Sequence, residues 1–195
     1  MKYAGYVGAA AVGVLLLVLF AMALPAAAAR ARTGLDRRSD ALCGALEPTP
    51  DNPTLGSFPV AAPDFTLKDY AGRSVTLSQL RGNVVLVNFW ATWCKTCVVE
   101  MPSMERMVAH MQGKPFRLLA VSIDDDWPTV RKFFEHGTDL DVLLDADKEV
   151  PKAYGTSKFP ESFIVDKTGT IRYYVVSDRD WTRPAIEACL DSLAD

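Results

Sequence analysis

The feature that most constrains the fold is a short apolar run that leads into a pair of cysteines. Residues 83–90 contain Val84-Val85-Leu86-Val87, which is typical of a strand covered on both faces. Cys94 and Cys97 follow, and the apolar residues after them recur at helical spacing as far as Gln112. The sequence therefore predicts a buried strand, a tight connection and a helix whose first turn carries both cysteines.

The chain after residue 60 alternates between strand and helix patterns. Two hairpins are predicted, one pairing residues 65–67 with 74–77 and one pairing 162–165 with 171–176. The remainder predicts further strands and helices, namely strands at 116–123 and 142–144 and helices at 128–135, 148–154 and 183–193. This order indicates an α/β fold: a mixed central sheet flanked by helices, with an added N-terminal hairpin.

The N-terminal segment differs from the rest of the chain, because residues 3–29 carry no charged side chain. Two interpretations remain open: a cleaved signal peptide that ends in the alanine run after Pro25, or a retained membrane anchor formed by residues 4–24. Arginines follow this segment at positions 30, 32, 37 and 38. They oppose simple insertion with the N-terminus inside, since positive charge prefers the cytoplasmic side.

Residues 30–59 are predicted to be a linker. Arg, Asp, Gly, Pro and Ser dominate this stretch, and its prolines at positions 48, 50, 53 and 59 disfavour regular structure. Three units result: a signal or membrane anchor at 1–29, a linker at 30–59, and one domain at 60–195.

The Cys94–Cys97 pair admits several kinds of site. A structural zinc site needs a second ligand pair, and Cys43 and Cys189 stand alone while the two histidines form no such pair. Covalent haem attachment needs His directly after the second cysteine, and Val98 is there instead. A permanent disulfide and a redox-active dithiol both remain open, and we expect no metal and no cofactor.

The position of the pair favours redox chemistry. The unpaired N–H groups at a helix N-terminus stabilise a thiolate, so Cys94 is the expected nucleophile. Lys95 adds positive charge next to it. Cys97 lies one turn further into the helix and is the expected resolving thiol, which attacks the mixed disulfide and releases the partner.

Several motifs carry a family resemblance. The segment from Asn88 to Cys97, NFWATWCKTC, resembles the active site of the thioredoxin superfamily and looks most like its extracytoplasmic TlpA/ResA-like branch. Similar motifs occur at residues 63–67, 100–102 and 154–169, so the resemblance covers about residues 60–195. Asn88 is a departure, because cytosolic thioredoxins carry a buried acid there. The dipeptide Lys95-Thr96 also differs from those of relatives.

The resemblance implies roles for further residues. Pro160 matches the cis-proline that faces the dithiol, with an ordinary turn proline as the alternative. Glu100 matches an acid that is a proton acceptor for Cys97, although an exposed carboxylate in the first helical turn is equally compatible. Trp93 is expected to shield Cys94, with core packing as the alternative. Phe159, bulkier than its counterparts in relatives, is expected to influence partner selection.

The remaining cysteines and a run of aspartates need separate interpretations. An even number of cysteines suits an oxidising compartment. The resemblance implies a structural disulfide between Cys43 and Cys189, with two unrelated thiols as the alternative. The run Asp124-Asp125-Asp126 is predicted to be a solvated loop with a helix cap rather than a cation site.

These observations predict a thiol–disulfide oxidoreductase. The net charge of −3 gives no general basic field, which argues against a nucleic-acid partner. The resemblance implies reduction of disulfides in exported proteins such as apocytochromes or copper-site proteins. It also implies a membrane electron donor and an extracytoplasmic location. The alternatives are an oxidant or isomerase of exported thiols and a copper chaperone of the same fold. A peroxidase is disfavoured, because its reactive cysteine has a different sequence context.

Overall fold

The computed structural model describes residues 41–46 and 50–195. The predicted signal or membrane anchor at residues 1–29, with the apolar segment at 4–24, lies outside this part of the chain. Within the described ranges, no helix has both the length and the apolar character needed to cross a membrane.

The described residues alternate between strands and helices, as predicted. The strands are β1 (Val60–Ala61), β2 (Thr66–Asp69), β3 (Ser74–Thr76), β4 (Val84–Trp90), β5 (Phe116–Ser122), β6 (Asp141–Leu144), β7 (Glu161–Val165) and β8 (Thr170–Val176). The helices are α1 (Lys95–His110), α2 (Trp127–Phe133), α3 (Glu149–Ala153) and α4 (Pro184–Ala194), with 3₁₀ helices at Cys43–Leu46 and Leu77–Leu80.

The strands form one mixed sheet in the order β1-β8-β7-β4-β5-β6-β2-β3. The central strand β4 runs parallel to β5 and antiparallel to β7. Both predicted hairpins are present, since β2 pairs with β3 and β7 with β8. The first hairpin extends the sheet through an antiparallel pairing of β2 with β6. The predicted α/β fold is confirmed.

Strand β4 separates two halves of the core. Its side chains alternate in direction, so Val84, Leu86 and Trp90 pack with α1, α2 and α4. Val85, Val87 and Phe89 point the other way and pack with α3 and the 3₁₀ turn at Leu77–Leu80. All seven β4 residues are buried. The strand that delivers the cysteines is therefore covered on both faces, as its apolar run predicted.

Part of the predicted linker has regular structure. Residues 43–46 form a 3₁₀ helix in which Cys43 and Leu46 are buried. Asn52 is also buried and donates a hydrogen bond from Nδ2 to the Tyr154 carbonyl oxygen at 2.9 Å. The expectation that this stretch lacks regular structure is wrong for residues 43–46, because apolar side chains bury there despite the prolines that follow. The domain boundary at residue 60 stays a prediction.

Candidate active site

The cysteine pair occupies the start of α1, immediately after the central strand. Cys94 is the N-cap residue, and the Cys97 backbone N–H donates to its Sγ at 3.3 Å. The two sulfurs form a disulfide, with Cys94 7% exposed and Cys97 fully buried. The Cys97 N–H in the first helical turn thus points at the Cys94 sulfur, where it stabilises a thiolate once the bond is reduced.

Hydrogen bonds fix the loop between β4 and α1. The Cys94 N–H donates to the Ala91 carbonyl oxygen at 3.1 Å. Thr92 donates to the Asp124 carboxylate twice, from its backbone N–H to Oδ2 at 3.0 Å and from its hydroxyl to Oδ1 at 2.8 Å. Asp124 was predicted to lie in a solvated loop, which is wrong because it is 3% exposed. Its neighbour Asp126 caps α2 as predicted.

The residue before Cys94, Trp93, takes part in an aromatic pair. Trp93 is 64% exposed, so the alternative of core packing for this residue is wrong. Its ring meets that of Phe159 edge to face, with centroids 6.2 Å apart. The peptide bond between Phe159 and Pro160 is cis, as the resemblance implied for this proline. The loop before α1 and the loop before β7 thus contribute to one surface.

Glu100 lies one helical turn after Cys97. Residues three apart on a helix share a face, and both of these side chains are buried. The alternative of an exposed carboxylate is therefore wrong. Burial raises the pKa of Glu100 to about 7, although hydrogen bonds from Asn88, Arg179 and Trp181 oppose that rise.

The partners of Glu100 come from strand β4 and from the segment between β8 and α4. Asn88 on β4 donates from Nδ2 to Oε1 at 2.8 Å. The Trp181 indole N–H and the Arg179 backbone N–H donate to Oε2 at 3.3 and 3.2 Å. Asn88 also donates to the Ser162 hydroxyl at 2.9 Å, which connects Glu100 to β7. Asn88 occupies the position where cytosolic thioredoxins carry a buried acid. In this protein Asn88 therefore binds a buried carboxyl group that α1 supplies, that of Glu100.

A second buried carboxyl group follows Pro160 directly. Glu161 is 2% exposed and accepts a hydrogen bond from the Tyr174 hydroxyl at 2.7 Å. Burial raises its pKa. Glu161 is a candidate that was not predictable from the sequence, where its place in an apolar strand is the available signal.

Comparisons with known proteins agree with this geometry. The AhpC/TSA family profile matches residues 60–174. The thiol-disulfide oxidoreductase ResA of Geobacillus thermodenitrificans is 35% identical over 133 residues, which are 68% of this chain and 75% of that protein. The chain belongs to the AhpC/TSA family.

Two further relatives specify the branch of the AhpC/TSA family. The thiol-disulfide oxidoreductase ResA of Bacillus subtilis is 34% identical over 111 residues, 56% of this chain and 62% of that protein. The crystal structure of a Chlorobium tepidum protein assigned as the thiol:disulfide interchange protein DsbE is similar with a TM-score of 0.65. It is 32% identical and covers 70% of this chain and 98% of that one. This AhpC/TSA family member is thus a thiol–disulfide oxidoreductase of the ResA and DsbE type.

A second disulfide of this family member joins Cys43 to Cys189, with Cα atoms 4.7 Å apart. Both cysteines are buried in the half of the core that contains α1. The pairing that the resemblance implied is present, and it attaches the 3₁₀ helix at Cys43–Leu46 to α4. In residues 41–46 and 50–195, no group of three His, Cys, Asp or Glu side chains is placed to hold a metal ion.

Proposed function

We propose that this oxidoreductase reduces disulfides in exported proteins, with Cys94 as the attacking thiol and Cys97 as the resolving thiol. The observation that carries the proposal is the unequal environment of the two sulfurs. Cys94 lies at the helix N-terminus beside the exposed Trp93, whereas Cys97 lies in the core, one turn from Glu100. An outer nucleophile and an inner resolving thiol one helical turn from a carboxyl group suit two successive exchange steps.

The first step consumes the reduced enzyme. The Cys94 thiolate attacks one sulfur of the partner disulfide, a new S–S bond forms, and the other partner sulfur leaves as a thiolate. Trp93 and Phe159 provide an apolar surface for the partner chain beside the reacting sulfur.

The second step releases the partner. Cys97 loses its proton and attacks the Cys94 sulfur, so the intramolecular disulfide forms and the second partner thiolate departs. Because Cys97 has no exposed surface, its proton needs an acceptor inside the protein. Glu100, with a pKa of about 7, is about half ionised at neutral pH and is suited to accept it. Two electrons have then passed from the dithiol to the partner.

The proposed compartment and partners are supported by the sequence and by the family resemblance. The uncharged segment at 4–24 supports export and membrane attachment, and a buried second disulfide suits an oxidising environment. Continued turnover requires a dithiol donor that reduces the Cys94–Cys97 bond again. A membrane protein is the proposed donor. Exported proteins whose cysteines must be thiols before they bind haem or copper are the proposed substrates.

The opposite direction, oxidation of exported thiols, is the second candidate. Lys95 and the helix N-terminus both stabilise a thiolate at Cys94, and stabilising the reduced form makes a disulfide a stronger oxidant. The two directions predict opposite resting states of the dithiol in cells.

Partner trapping and acid quenching together test the proposal. Cys97→Ser is expected to accumulate mixed disulfides with exported proteins, which mass spectrometry identifies; the Cys94→Ser/Cys97→Ser variant is the matched control. Rapid acid quenching and alkylation should find Cys94 and Cys97 mainly as thiols while Cys43 and Cys189 remain bridged. A mainly oxidised active-site pair, with under-oxidised exported proteins after deletion of the gene, would instead establish an oxidant.

A further inference from the structure

Asp124 is a buried carboxylate that the two exchange steps do not use. It is 3% exposed, whereas the side chain of the next residue, Asp125, is 88% exposed and pairs with Lys148. Asp124 follows β5, the strand parallel to β4, so it lies at the end of the sheet from which α1 begins. Three consecutive aspartates thus have three environments: among the hydrogen bonds of the described residues, those that the loop carrying the cysteines donates to this run go to Asp124, whereas Asp125 binds Lys148 and Asp126 caps α2.

The contacts of Asp124 satisfy its charge. Besides the two bonds from Thr92, the Ser122 hydroxyl donates to Oδ2 at 2.8 Å. The Ser122 hydroxyl also accepts the Asp124 backbone N–H at 3.0 Å. Bonds to a charged acceptor are about twice as strong as neutral ones, and they offset the cost of burying the carboxylate. A buried charge with this many donors fixes the position of the groups that donate to it.

Thr92 transmits this constraint to the reactive sulfur. It lies between Ala91, whose carbonyl oxygen accepts the Cys94 N–H, and Cys94 itself. Two residues before Thr92, the Trp90 carbonyl oxygen accepts a hydrogen bond from the Ile123 N–H at 3.0 Å. The turn is therefore attached to the end of β5 at two neighbouring points, once through the backbone and once through Asp124.

We propose that Asp124 is the positioning residue of Cys94, holding Thr92 so that the sulfur stays at the N-terminus of α1. This inference rests on the proposed role of Cys94 as the attacking thiol. Asp124 acts through Thr92, and its effect is to keep the Cys97 N–H directed at the thiolate. Without it the turn relaxes, the thiolate loses that donor, and a smaller fraction of Cys94 is ionised at a given pH.

The sign of the effect separates positioning from simple electrostatics. Removing a nearby negative charge favours the thiolate and speeds its reaction, whereas loosening the turn disfavours the thiolate and slows it. The other charged groups on the elements around the dithiol stay unchanged in an Asp124 variant: Lys95 and Glu100 on α1, Lys158 and Glu161 beside Pro160, and Asp178 and Arg179 after β8.

The test compares Asp124→Asn with its exposed neighbour Asp125→Asn in the full-length reduced protein. The amide puts a donor where Thr92 and Ser122 also donate, while the control removes the same charge from the surface. Alkylation of Cys94 by iodoacetamide is followed against pH by mass spectrometry. We expect Asp124→Asn to react roughly two- to fivefold more slowly at pH 6 and to match wild type above pH 10, and Asp125→Asn to match wild type throughout. An unchanged or faster reaction of Asp124→Asn overturns the proposal.

Thr92 variants keep the proposal testable if Asp124→Asn does not fold. Thr92→Val removes the hydroxyl donor but keeps the backbone bond, and Thr92→Ser keeps both. Thr92→Val should slow alkylation at pH 6 by about twofold, and Thr92→Ser should restore the wild-type rate. Equal rates in Thr92→Val and wild type overturn the proposal. The readout is at Cys94 itself, so it does not depend on whether the enzyme reduces or oxidises its partners; partner trapping tests that separately.

Discussion

The disulfide at Cys94–Cys97 and the disulfide at Cys43–Cys189 differ in position, surroundings and span. The first joins residues three apart at a helix N-terminus, beside an exposed tryptophan and a buried carboxyl group. The second joins residues 146 apart, and both its cysteines lie in the core. The Cys94–Cys97 bond is thus the one that a partner protein can approach and reduce. The Cys43–Cys189 bond is inaccessible to a partner and restrains the fold covalently.

Loop length makes the same distinction in free energy. The chain-entropy relation gives about 5 kcal/mol for closing a loop of 146 residues and only about 1.6 kcal/mol for one of three. Breaking the short bond therefore costs the fold little, and the enzyme can cycle between its two redox states without unfolding. Breaking the long bond removes a restraint comparable with the whole stability of many domains.

The largest expected effect comes from the short bond. Cys94→Ser should abolish reduction of insulin disulfides, because no attacking thiolate remains. Cys97→Ser should retain attack and stall as a mixed disulfide that non-reducing gels display. Equal residual activity in the two variants would contradict the roles assigned to Cys94 and Cys97, and with them the functional difference between the two disulfides.

Breaking the long bond should reduce stability instead. Cys43→Ala/Cys189→Ala is expected to lose up to about 5 kcal/mol of unfolding free energy in denaturant titrations, because the unfolded chain gains freedom. Cys94→Ala/Cys97→Ala is the matched control and should lose far less. The Cys43→Ala/Cys189→Ala variant should still reduce insulin at temperatures where it is folded. Similar losses of unfolding free energy in the two double variants would show that the two disulfides do not differ in their contribution to stability.

Glu100 gives the active-site region a pH-dependent cost to stability. Its pKa is raised from the usual 4.5 to about 7, so the folded protein holds a proton that the unfolded protein releases between these pH values. Its contribution to stability is present below pH 4.5 and is lost as the pH rises through 7. This loss amounts to at most about 3 kcal/mol.

The test of this dependence is Glu100→Gln, which has no titrating group. The unfolding free energy of wild type minus that of the variant should fall between pH 4.5 and 7 and level off above pH 8. Resolution of a mixed disulfide should slow by at least about tenfold and lose its inflection near pH 7, because the proton acceptor is gone. A parallel stability profile and an unchanged pH–rate curve would leave Glu100 with no part in proton transfer.

The smallest expected effect concerns the exposed aromatic surface beside the Cys94–Cys97 bond, which the Cys43–Cys189 bond lacks among the described residues. Trp93→Ala should raise the KM for a protein disulfide by a few fold, since an exposed aromatic contact contributes about 1 kcal/mol. The rate with a small aromatic disulfide reagent should change little. Leu42, an exposed apolar residue next to Cys43, is the matched control. Leu42→Ala should change neither the KM for the protein disulfide nor the rate with the small reagent. Equal losses with large and small substrates would argue against a docking role for Trp93.

The sequence was sufficient for the fold wherever local pattern decides structure. The apolar run of β4, the turn residues of both hairpins and the cysteine pair at the helix start are signals carried by neighbouring residues. The attachment of the first hairpin to β6 was not predictable in this way. It depends on pairing between segments more than seventy residues apart, for which one sequence offers no signal.

Burial of charge marks the limit of sequence reasoning at the site. Asp124 and Asp125 are identical and adjacent, yet one is buried and the other almost fully exposed. Glu100 was equally compatible with an exposed position, because a carboxylate near a helix start is common on surfaces. Both outcomes depend on donors from distant elements, such as Thr92 for Asp124 and Trp181 for Glu100.

The Cys43–Cys189 bond also makes a covalent ring of nearly the whole domain. The turn at residues 135–137, after α2, is exposed and lies inside that ring. A protease that cuts after Glu135 would open the backbone without separating the pieces, and the two fragments would still migrate together on a non-reducing gel. Only a reductant that reaches the buried bond would release them, so a nicked molecule in an oxidising compartment keeps all of its parts.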